Sequence, residues 1–335
     1  MPIFSLPVDP VLTLKYPSLS FEGEIMYNIY FTADDLTSVV EMGLLAFDTR
    51  LESGTIEDAT NVYPGYSGTD GIYMGQSAGV AAKQLGDAVY FKVYAKLTDG
   101  TYVYSNMAGY NAVVYAKTIL KNSTNEHMKR LVISMINYGA EAQKFFEYNT
   151  DNLMNSFLTE DQQAMISAYD ASMVADLVSV DSSKVGMFTY TTGDFTRRYN
   201  SVSFDGAFSI NYYFTAKGTP DNGMKFYYWS LADYNAADVL TPENATGTMD
   251  MVDTGTQNQF WGQVPNIAAK RLDETIFVAG VYELDGVTYT TGVLAYSLGK
   301  YCAKIAADDT SNQQALSAAT AVYGYYAKQY FGSIA

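Results

Sequence analysis

The sequence predicts a mainly β protein with some α-helix, built as two tandem Ig-like antiparallel β-sandwich domains that are each followed by a helical hairpin. Three observations predict this fold. The chain repeats itself in tandem, each repeat holds short β-branched and aromatic runs separated by turn residues, and each repeat ends in a segment with helical periodicity. The length of 335 residues is sufficient for two domains of ordinary size.

The tandem repeat is visible in three pairs of aligned blocks. Nine of sixteen residues are identical in the first pair, which aligns without gaps. The second pair shares a Gly-Gln and an Ala-Ala-Lys-x-Leu, and the third shares a Tyr-Gly followed by Ala and Phe. The pairs are residues 18–33 with 201–216, 73–85 with 260–272, and 138–146 with 323–331. Because the blocks keep their order along the chain, they indicate a tandem duplication.

The strands of repeat 1 are predicted from short runs rich in Val, Ile, Phe and Tyr. These runs cover residues 21–32, 42–47, 88–97 and 101–105. Asp99-Gly100 separates the last two runs, and Asp285-Gly286 stands at the equivalent place in repeat 2. An Asp-Gly pair between strands is typical of a type I′ hairpin turn, because Gly tolerates the positive φ that this turn requires.

The helices follow the strands in each repeat. Ser123-x-x-Glu126 has the pattern of a capping box and precedes apolar residues spaced three or four apart from Met128 onward. Ser311-x-x-Gln314 precedes a similar pattern in repeat 2. Shorter apolar segments at residues 111–120 and 293–305 come before these helices. The spacing therefore predicts a helical hairpin at the end of each repeat.

The repeats divide the chain into four regions. An amino-terminal arm or strand covers residues 1–17, repeat 1 covers 18–150, a helical linker covers 151–183 and repeat 2 covers 184–335. Thr159-x-x-Gln162 predicts a short linker helix at about residues 161–169. Because the linker carries Met165, Ile166 and Tyr169 and is not rich in Gly and Ser, we expect the two repeats to pack in a fixed relation.

Composition excludes several classes of function. The chain has 20 Lys and Arg against 36 Asp and Glu, a net charge of −16, which argues against nucleic acid and anionic membranes as partners. Its one Cys and one His exclude an internal disulfide and a zinc site of Cys and His ligands. We expect no cofactor and no bound metal. We also expect no membrane insertion and no export signal, since no apolar run approaches about 18 residues and no basic region precedes one at the amino terminus.

Four aromatic residues are candidate ligand contacts: Tyr227, Tyr228, Trp229 and Trp261. Flat aromatic faces stack on sugar rings and anchor protein partners, whereas buried rings fill a core. Alignment favours packing for Trp229 and Tyr227, because Phe47 and Leu45 occupy the equivalent positions in repeat 1. Tyr228 replaces an Ala, which suits a surface or an interface. Trp261 replaces a Met, so packing and ligand contact both remain open.

No catalytic residues are predicted. His127 lies in the first turn of a predicted helix and Cys302 lies inside another, where a lone cysteine usually acts as a small apolar residue. Acidic pairs such as Asp34-Asp35 and Asp308-Asp309 lack the spacing of a calcium loop and are read as solvated turns and helix starts. The sequence therefore favours a protein that is not an enzyme, with two carboxylates acting as a glycosidase pair as the weaker alternative.

A resemblance to a known module rests on four motifs of repeat 1. They are residues 81–87 (AAKQLGD), residues 89–95 (VYFKVYA), Asp99-Gly100 and residues 135–143 (MINYGAEAQ). Together they resemble a poorly characterised module of Gram-positive bacterial surface proteins and of phage structural proteins. Repeat 2 matches more weakly, because Asp273-Glu274 replaces Gly86-Asp87. The resemblance implies display at a surface and implies no catalytic residue.

Two functions follow as hypotheses. The first is a non-enzymatic structural or interaction protein on the surface of a phage particle, such as a decoration, head-fibre or tail accessory protein, whose partners are other copies of itself and other shell proteins. The alternative is an extracellular or cell-surface module of a Gram-positive bacterium that binds carbohydrate or a host protein. Abundant tyrosine, at 30 residues, suits both a protein interface and a glycan contact.

Overall fold

The protein is mainly β, with four antiparallel sheets and few helices. The structure is a computed structural model and describes residues 9–21, 24–69, 71–191, 193–204 and 206–334. Two of the sheets lie in each repeat, and each sheet of repeat 1 has a counterpart of the same strand order in repeat 2. This duplicated topology agrees with the tandem repeat in the sequence.

Repeat 1 forms one sheet in the order β1-β2-β6-β5 and another in the order β4-β3-β7-β8, with β9 also paired to β7. Two helices that contact each other follow the strands. The elements are β1 (Leu12–Ser20), β2 (Met26–Ala33), β3 (Val39–Phe47), β4 (Asn61–Pro64), β5 (Ser67–Thr69), β6 (Ile72–Gly79), β7 (Val89–Leu97), β8 (Tyr102–Tyr104), β9 (Ala108–Tyr110), α1 (Ala112–Asn122) and α2 (Glu126–Phe145).

Repeat 2 follows a short linker helix and has the same strand orders, β10-β11-β15-β14 and β13-β12-β16-β17, with β18 also paired to β16. Helix α4 lies where repeat 1 has turns. The elements are α3 (Glu160–Gln163), β10 (Phe195–Ser203), β11 (Phe208–Ala216), β12 (Met224–Trp229), α4 (Leu231–Ala236), β13 (Gly247–Asp250), β14 (Val252–Asp253), β15 (Gln259–Ile267), β16 (Ile276–Leu284), β17 (Val287–Thr290), β18 (Leu294–Tyr296), α5 (Leu298–Ala306) and α6 (Gln314–Ser333).

The two sheets of each repeat face each other across a shared apolar core. A glycine of β6 explains how closely they approach, since a Cβ on Gly75 would lie 3.1 Å from the Cβ of Leu44 on the opposite sheet. In repeat 2 the equivalent Gly262 lies against Phe226, since a Cβ added to Gly262 would lie 2.4 Å from a carbon of the Phe226 ring. The glycine shared by the second pair of blocks therefore makes room for a large side chain of the facing sheet.

The other shared residues of the aligned blocks join the strands to the last helix of each repeat. A Cβ on Gly139 of α2 would lie 3.1 Å from the carbonyl oxygen of Ala82, and a Cβ on Gly324 of α6 would lie 3.2 Å from that of Ala269. Both carbonyls belong to the short 3₁₀ turn that carries the Ala-Ala-Lys sequence. The shared lysines then lie over the shared phenylalanines, Lys83 over Phe146 at 4.9 Å and Lys270 over Phe331 at 4.6 Å. These motifs are therefore accounted for by packing within each repeat.

Only one of the two predicted type I′ turns is present. In repeat 2, Asp285 and Gly286 both have positive φ, +54° and +71°, as the turn requires. In repeat 1 only Gly100 has positive φ, and the Asp99 carboxylate accepts a hydrogen bond from the backbone N–H of Thr101 instead. That hydrogen bond stabilises a longer loop between β7 and β8, which the Asp-Gly dipeptide does not reveal.

The predicted caps of the two long helices are wrong, although the helices themselves are present. Helix α2 is capped by Asn125, whose side-chain oxygen accepts the backbone N–H of Met128, and Ser123 lies outside the helix. Helix α6 starts at Gln314 without a side-chain cap. Asn is as good a cap as Ser, so the side chain nearest the first helical turn makes the bond.

Two tyrosines join the repeats through the contact of α2 with α6. The rings of Tyr138 and Tyr323, which are equivalent residues, stack at 5.5 Å with an angle of 12°. Tyr138 also donates a hydrogen bond to the carbonyl oxygen of Phe204 in repeat 2 and packs against Phe208. All four residues belong to one core that continues through both repeats.

The linker and the amino-terminal region differ in part from the prediction. Thr159 and Gln162 form the expected capping box, but α3 ends at Gln163 and a 3₁₀ turn follows. Residues 1–8 of the predicted arm lie outside the described residues. Residues 12–17 belong to β1, which pairs with β2 of its own repeat, so the boundary at residue 17 falls inside a strand.

Candidate functional site

Trp229 is buried and presents no ring face to a ligand. Its exposed fraction is 0%, its ring packs against Phe188 at 5.0 Å, and its Nε1 donates a hydrogen bond to Oδ1 of Asn244 at 2.9 Å. Trp229 is therefore a core residue, and its prediction as a ligand contact is wrong. The alignment of Trp229 with Phe47, which is also buried, pointed to this outcome.

Tyr227 belongs to the same small core on the outer side of its sheet. Its ring lies 5.5 Å from Phe188 and 6.3 Å from Trp229. The segment around Phe188 and helix α4, through Tyr234, cover this side of the sheet. Since Tyr227 is half-buried and makes these contacts, its main role is packing.

Trp261 lies on the uncovered outer face of the other sheet of repeat 2. It pairs with Tyr213 of β11, and Tyr213 stacks on Tyr199 of β10 with ring centroids 4.4 Å apart and an angle of 20°. Tyr199 is 51% exposed, and Trp261 is half-buried. Tyr199, Tyr213 and Trp261, called here the aromatic row, occupy paired positions on three neighbouring strands.

Repeat 1 has an equivalent row on its own outer face. Tyr16 stacks on Tyr30 at 4.6 Å and 22°, and Tyr30 pairs with Met74. Tyr16 is 54% exposed. Sequence reasoning singled out Trp261 alone and missed the tyrosines, although Tyr30 and Tyr213 are identical residues in the first pair of blocks.

A ladder of hydrogen-bonded side chains runs beside each row on the same face. In repeat 1, Asn28 donates to Ser18 at 3.3 Å and accepts from Gln76 at 2.7 Å. In repeat 2 the equivalent bonds are 3.2 Å and 2.9 Å, between Asn211 and its partners Ser201 and Gln263. Each ladder links three neighbouring strands, so it fixes the outer face on which the aromatic rings lie.

A cleft with a volume of about 660 Å³ lies between the two sheets of repeat 1. Its floor includes Ala46, and its walls carry Tyr63 together with polar side chains from both sheets. One wall is completed by Tyr148, whose hydroxyl donates to Oδ2 of Asp87 at 2.6 Å. This hydrogen bond to the carboxylate raises the pKa of Tyr148 above its ordinary value.

Tyr228 lies in the equivalent cleft of repeat 2. That cleft has a volume of about 260 Å³, and Tyr228 stands where repeat 1 has Ala46. Burial raises the pKa of the Tyr228 hydroxyl. The Tyr228 ring lies over Gly247, because a Cβ added there would be 2.4 Å from the hydroxyl oxygen. The sequence predicted a surface or interface residue, and in the structure Tyr228 is half-buried, packs against the core and lines this cleft.

The titratable side chains singled out in the sequence lie apart from these features. His127 is exposed at the start of α2, and Cys302 is fully buried in α5, where burial raises the pKa of its thiol. Within the described ranges, no three His, Cys, Asp or Glu side chains are grouped as metal ligands.

No family model matches the chain, and no curated protein matches it. Among the described residues, none of the helices has the length and apolar character needed to cross a membrane.

Proposed function

We propose that this protein is a non-enzymatic structural or interaction protein displayed on the surface of a phage particle, as a decoration, head-fibre or tail accessory protein. Its partners are other copies of itself and other shell proteins. In this proposal each pair of facing sheets is an Ig-like sandwich, each pair of adjacent helices is a helical hairpin, and the chain consists of two such units joined by the 151–183 linker.

The observation that carries the proposal is the duplicated aromatic row. The stacked pairs Tyr16–Tyr30 and Tyr199–Tyr213 have almost the same separation and angle, and each lies on an outer face beside the same hydrogen-bonded ladder. Tyr and Trp are enriched at protein interfaces, where one end of the side chain is apolar and the other is wet. Two similar surfaces on one chain suit a protein that contacts repeated neighbours, as a particle component does.

The acidic surface also fits a shell protein better than a nucleic-acid-binding one. A net charge of −16 repels DNA and keeps the outside of a particle from adhering to other anionic surfaces. The exposed end of Tyr199, 51% accessible, remains free in the isolated chain for a neighbouring copy. The resemblance to phage structural modules points the same way.

Fractionation of the native source tests the proposal. Purified particles, cell envelope and supernatant are separated, and peptides of this protein are quantified in each by mass spectrometry. We expect enrichment in particles at a fixed copy number. Enrichment in envelope or supernatant, with none in particles, would contradict the proposal.

A matched pair of variants tests the role of the aromatic row. Trp261→Ala removes the largest ring of the row, and Thr215→Ala changes the same outer face two residues beyond Tyr213 on β11. We expect Trp261→Ala to reduce incorporation into particles and Thr215→Ala to leave it unchanged. Equal incorporation of both variants would exclude the row as a contact surface.

A further inference from the structure

We propose that the cleft of repeat 1 is a binding site for a neutral saccharide, and that the equivalent cleft of repeat 2 is closed to this ligand by Tyr228. The inference concerns a different surface from the aromatic row and does not depend on where the protein is displayed. It rests on the size of the cleft, the chemistry of its walls and the differences between the two repeats.

The size of the cleft suits a small ligand. Its volume of about 660 Å³ lies within the range of roughly 300 to 1,000 Å³ that is usual for ligand pockets. It opens between the sheets, with its walls formed by β4, the end of β6 and the 3₁₀ turn that follows β6.

The chemistry of the walls selects the class of ligand. Hydrogen-bonding groups are supplied by Asp48, Asn61, Gln84 and Asp87, and an aromatic ring is supplied by Tyr63. Amides and carboxylates bond sugar hydroxyls as donors and acceptors, and a ring packs against the apolar face of a pyranose. The described residues that line the cleft include two Asp and no Lys, Arg or His, so an anionic ligand is disfavoured.

Part of this polar wall is already held in place. The hydroxyl of Tyr148 donates to Asp87, which fixes one carboxylate oxygen and leaves the other for a ligand. By contrast, the side chains of Asp48 and Asn61 make no hydrogen bond with the described part of the protein and are exposed at the rim. Their groups are free to bond a ligand.

Repeat 2 has changed at the same positions. Tyr228 replaces Ala46 and reduces the volume of the cleft to about 260 Å³. Glu274 replaces Asp87, but its carboxylate is paired with Arg271 through two hydrogen bonds, at 2.5 and 2.9 Å. A bidentate Arg pair neutralises the carboxylate and occupies both of its oxygens. Duplication has therefore left one wide polar cleft and one narrow, charge-compensated cleft.

The two repeats supply the variant that tests the site. In repeat 2 the Tyr228 ring lies over Gly247, and the residue paired with Ala46 in repeat 1 is Asn61. The double variant Ala46→Tyr/Asn61→Gly therefore copies the narrow cleft into repeat 1 with a pair that the fold already accepts. Tyr228→Ala, the matched control, changes only the cleft of repeat 2.

Binding is measured by saturation-transfer NMR and on a glycan array, whose multivalent display detects weak sites. The probes are glucose, galactose and N-acetylglucosamine with their disaccharides, the matched glucuronic and galacturonic acids, and cadaverine as an amine. We expect a neutral saccharide to bind, the matching uronic acid to bind more weakly and the double variant to lose at least tenfold in affinity. Tyr228→Ala should leave the affinity of repeat 1 unchanged.

A second variant distinguishes a loss of saccharide binding from misfolding of the double variant. Asp87→Asn keeps the shape of the wall and removes one charge-assisted hydrogen bond, which should weaken saccharide binding by about fivefold to tenfold. Circular dichroism melting verifies that both variants are folded. The proposal is overturned if no neutral saccharide binds, if cadaverine alone binds, or if binding survives both the double variant and Asp87→Asn.

Discussion

The stacked pair Tyr138–Tyr323 gives the sharpest test of how the repeats are held together. Both rings are buried, with 2% and 1% exposed, and they lie parallel at 5.5 Å across the contact of α2 with α6. Replacing each tyrosine by leucine keeps an apolar side chain in place and removes the stacking. The Tyr138 change also removes the hydroxyl that donates to the carbonyl oxygen of Phe204.

The expected loss follows from these contacts. Aromatic stacking contributes about 0.5–1.5 kcal/mol beyond area burial, and a hydrogen bond contributes about 0.5–1.5 kcal/mol net. Tyr138→Leu should therefore reduce the free energy of unfolding by about 1–3 kcal/mol. Because the two rings share one contact, the double variant should lose less than the sum of the single variants, with a coupling energy of about 0.5–1.5 kcal/mol.

Urea unfolding followed by tryptophan fluorescence measures this loss of stability, with probes that lie in the other repeat. Both tryptophans lie in repeat 2, whereas Tyr138 lies in repeat 1. Tyr138→Leu should therefore shift the fluorescence transition of repeat 2 to lower urea. A fluorescence transition that does not move with Tyr138→Leu would refute a core shared by the repeats. As a control, Tyr138→Leu and Phe277→Leu, which lie in separate core clusters, should be additive within about 0.5 kcal/mol.

Three further outcomes are expected. Gly139→Ala should lower the free energy of unfolding, measured in urea, by about 1–3 kcal/mol, because the added Cβ has no space. Gly332→Ala is the control: its Cβ enters open space, so the free energy of unfolding should stay unchanged or rise by up to about 1 kcal/mol. Equal losses in the two variants would contradict the close packing of Gly139. The Cys302 thiol, fully buried with a raised pKa, should react with Ellman's reagent only after unfolding, and a fast native reaction would show that it is accessible. Hydrogen bonds from the Thr101 hydroxyl and backbone N–H lower the pKa of Asp99 in the folded state. Asp99 therefore stabilises the folded protein at pH values above its unfolded pKa, and this contribution is lost as the pH falls through its folded pKa. By NMR titration Thr101→Val should raise the Asp99 pKa, and an unchanged value would rule out the hydroxyl contribution.

Much of the β structure could be predicted because its signal is local. The run at residues 42–47 lies within β3, the run at 88–97 matches β7 to within one residue, and the long helices α2 and α6 are both predicted by their spacing. The caps of those helices were not, because Asn125 and Ser123 are equally suitable caps and only the path of the chain chooses between them. The short strands β5 and β14 carry too few residues to give a periodic pattern.

The candidate sites were harder to predict. Sequence alignment correctly made Trp229 doubtful as a ligand contact, because Phe47 at the equivalent position is an ordinary core residue. Only Trp261 of the aromatic row was predicted as a candidate, since Tyr199 and Trp261 are 62 residues apart in sequence and are brought together by β11, which lies between their strands. The open cleft was missed entirely, because it depends on the absence of a large side chain at Ala46 rather than on the presence of a motif.

The sequence by itself determined the duplication, the β-rich composition, the acidic charge and the positions of the long helices, because each of these depends on residue identity or on spacing along the chain. Tertiary structure alone decided which faces are covered, how α2 meets α6 and why one cleft is open while its counterpart is narrowed by Tyr228. Packing brings together residues that are distant in sequence, and small differences in side-chain volume then decide whether a space is filled.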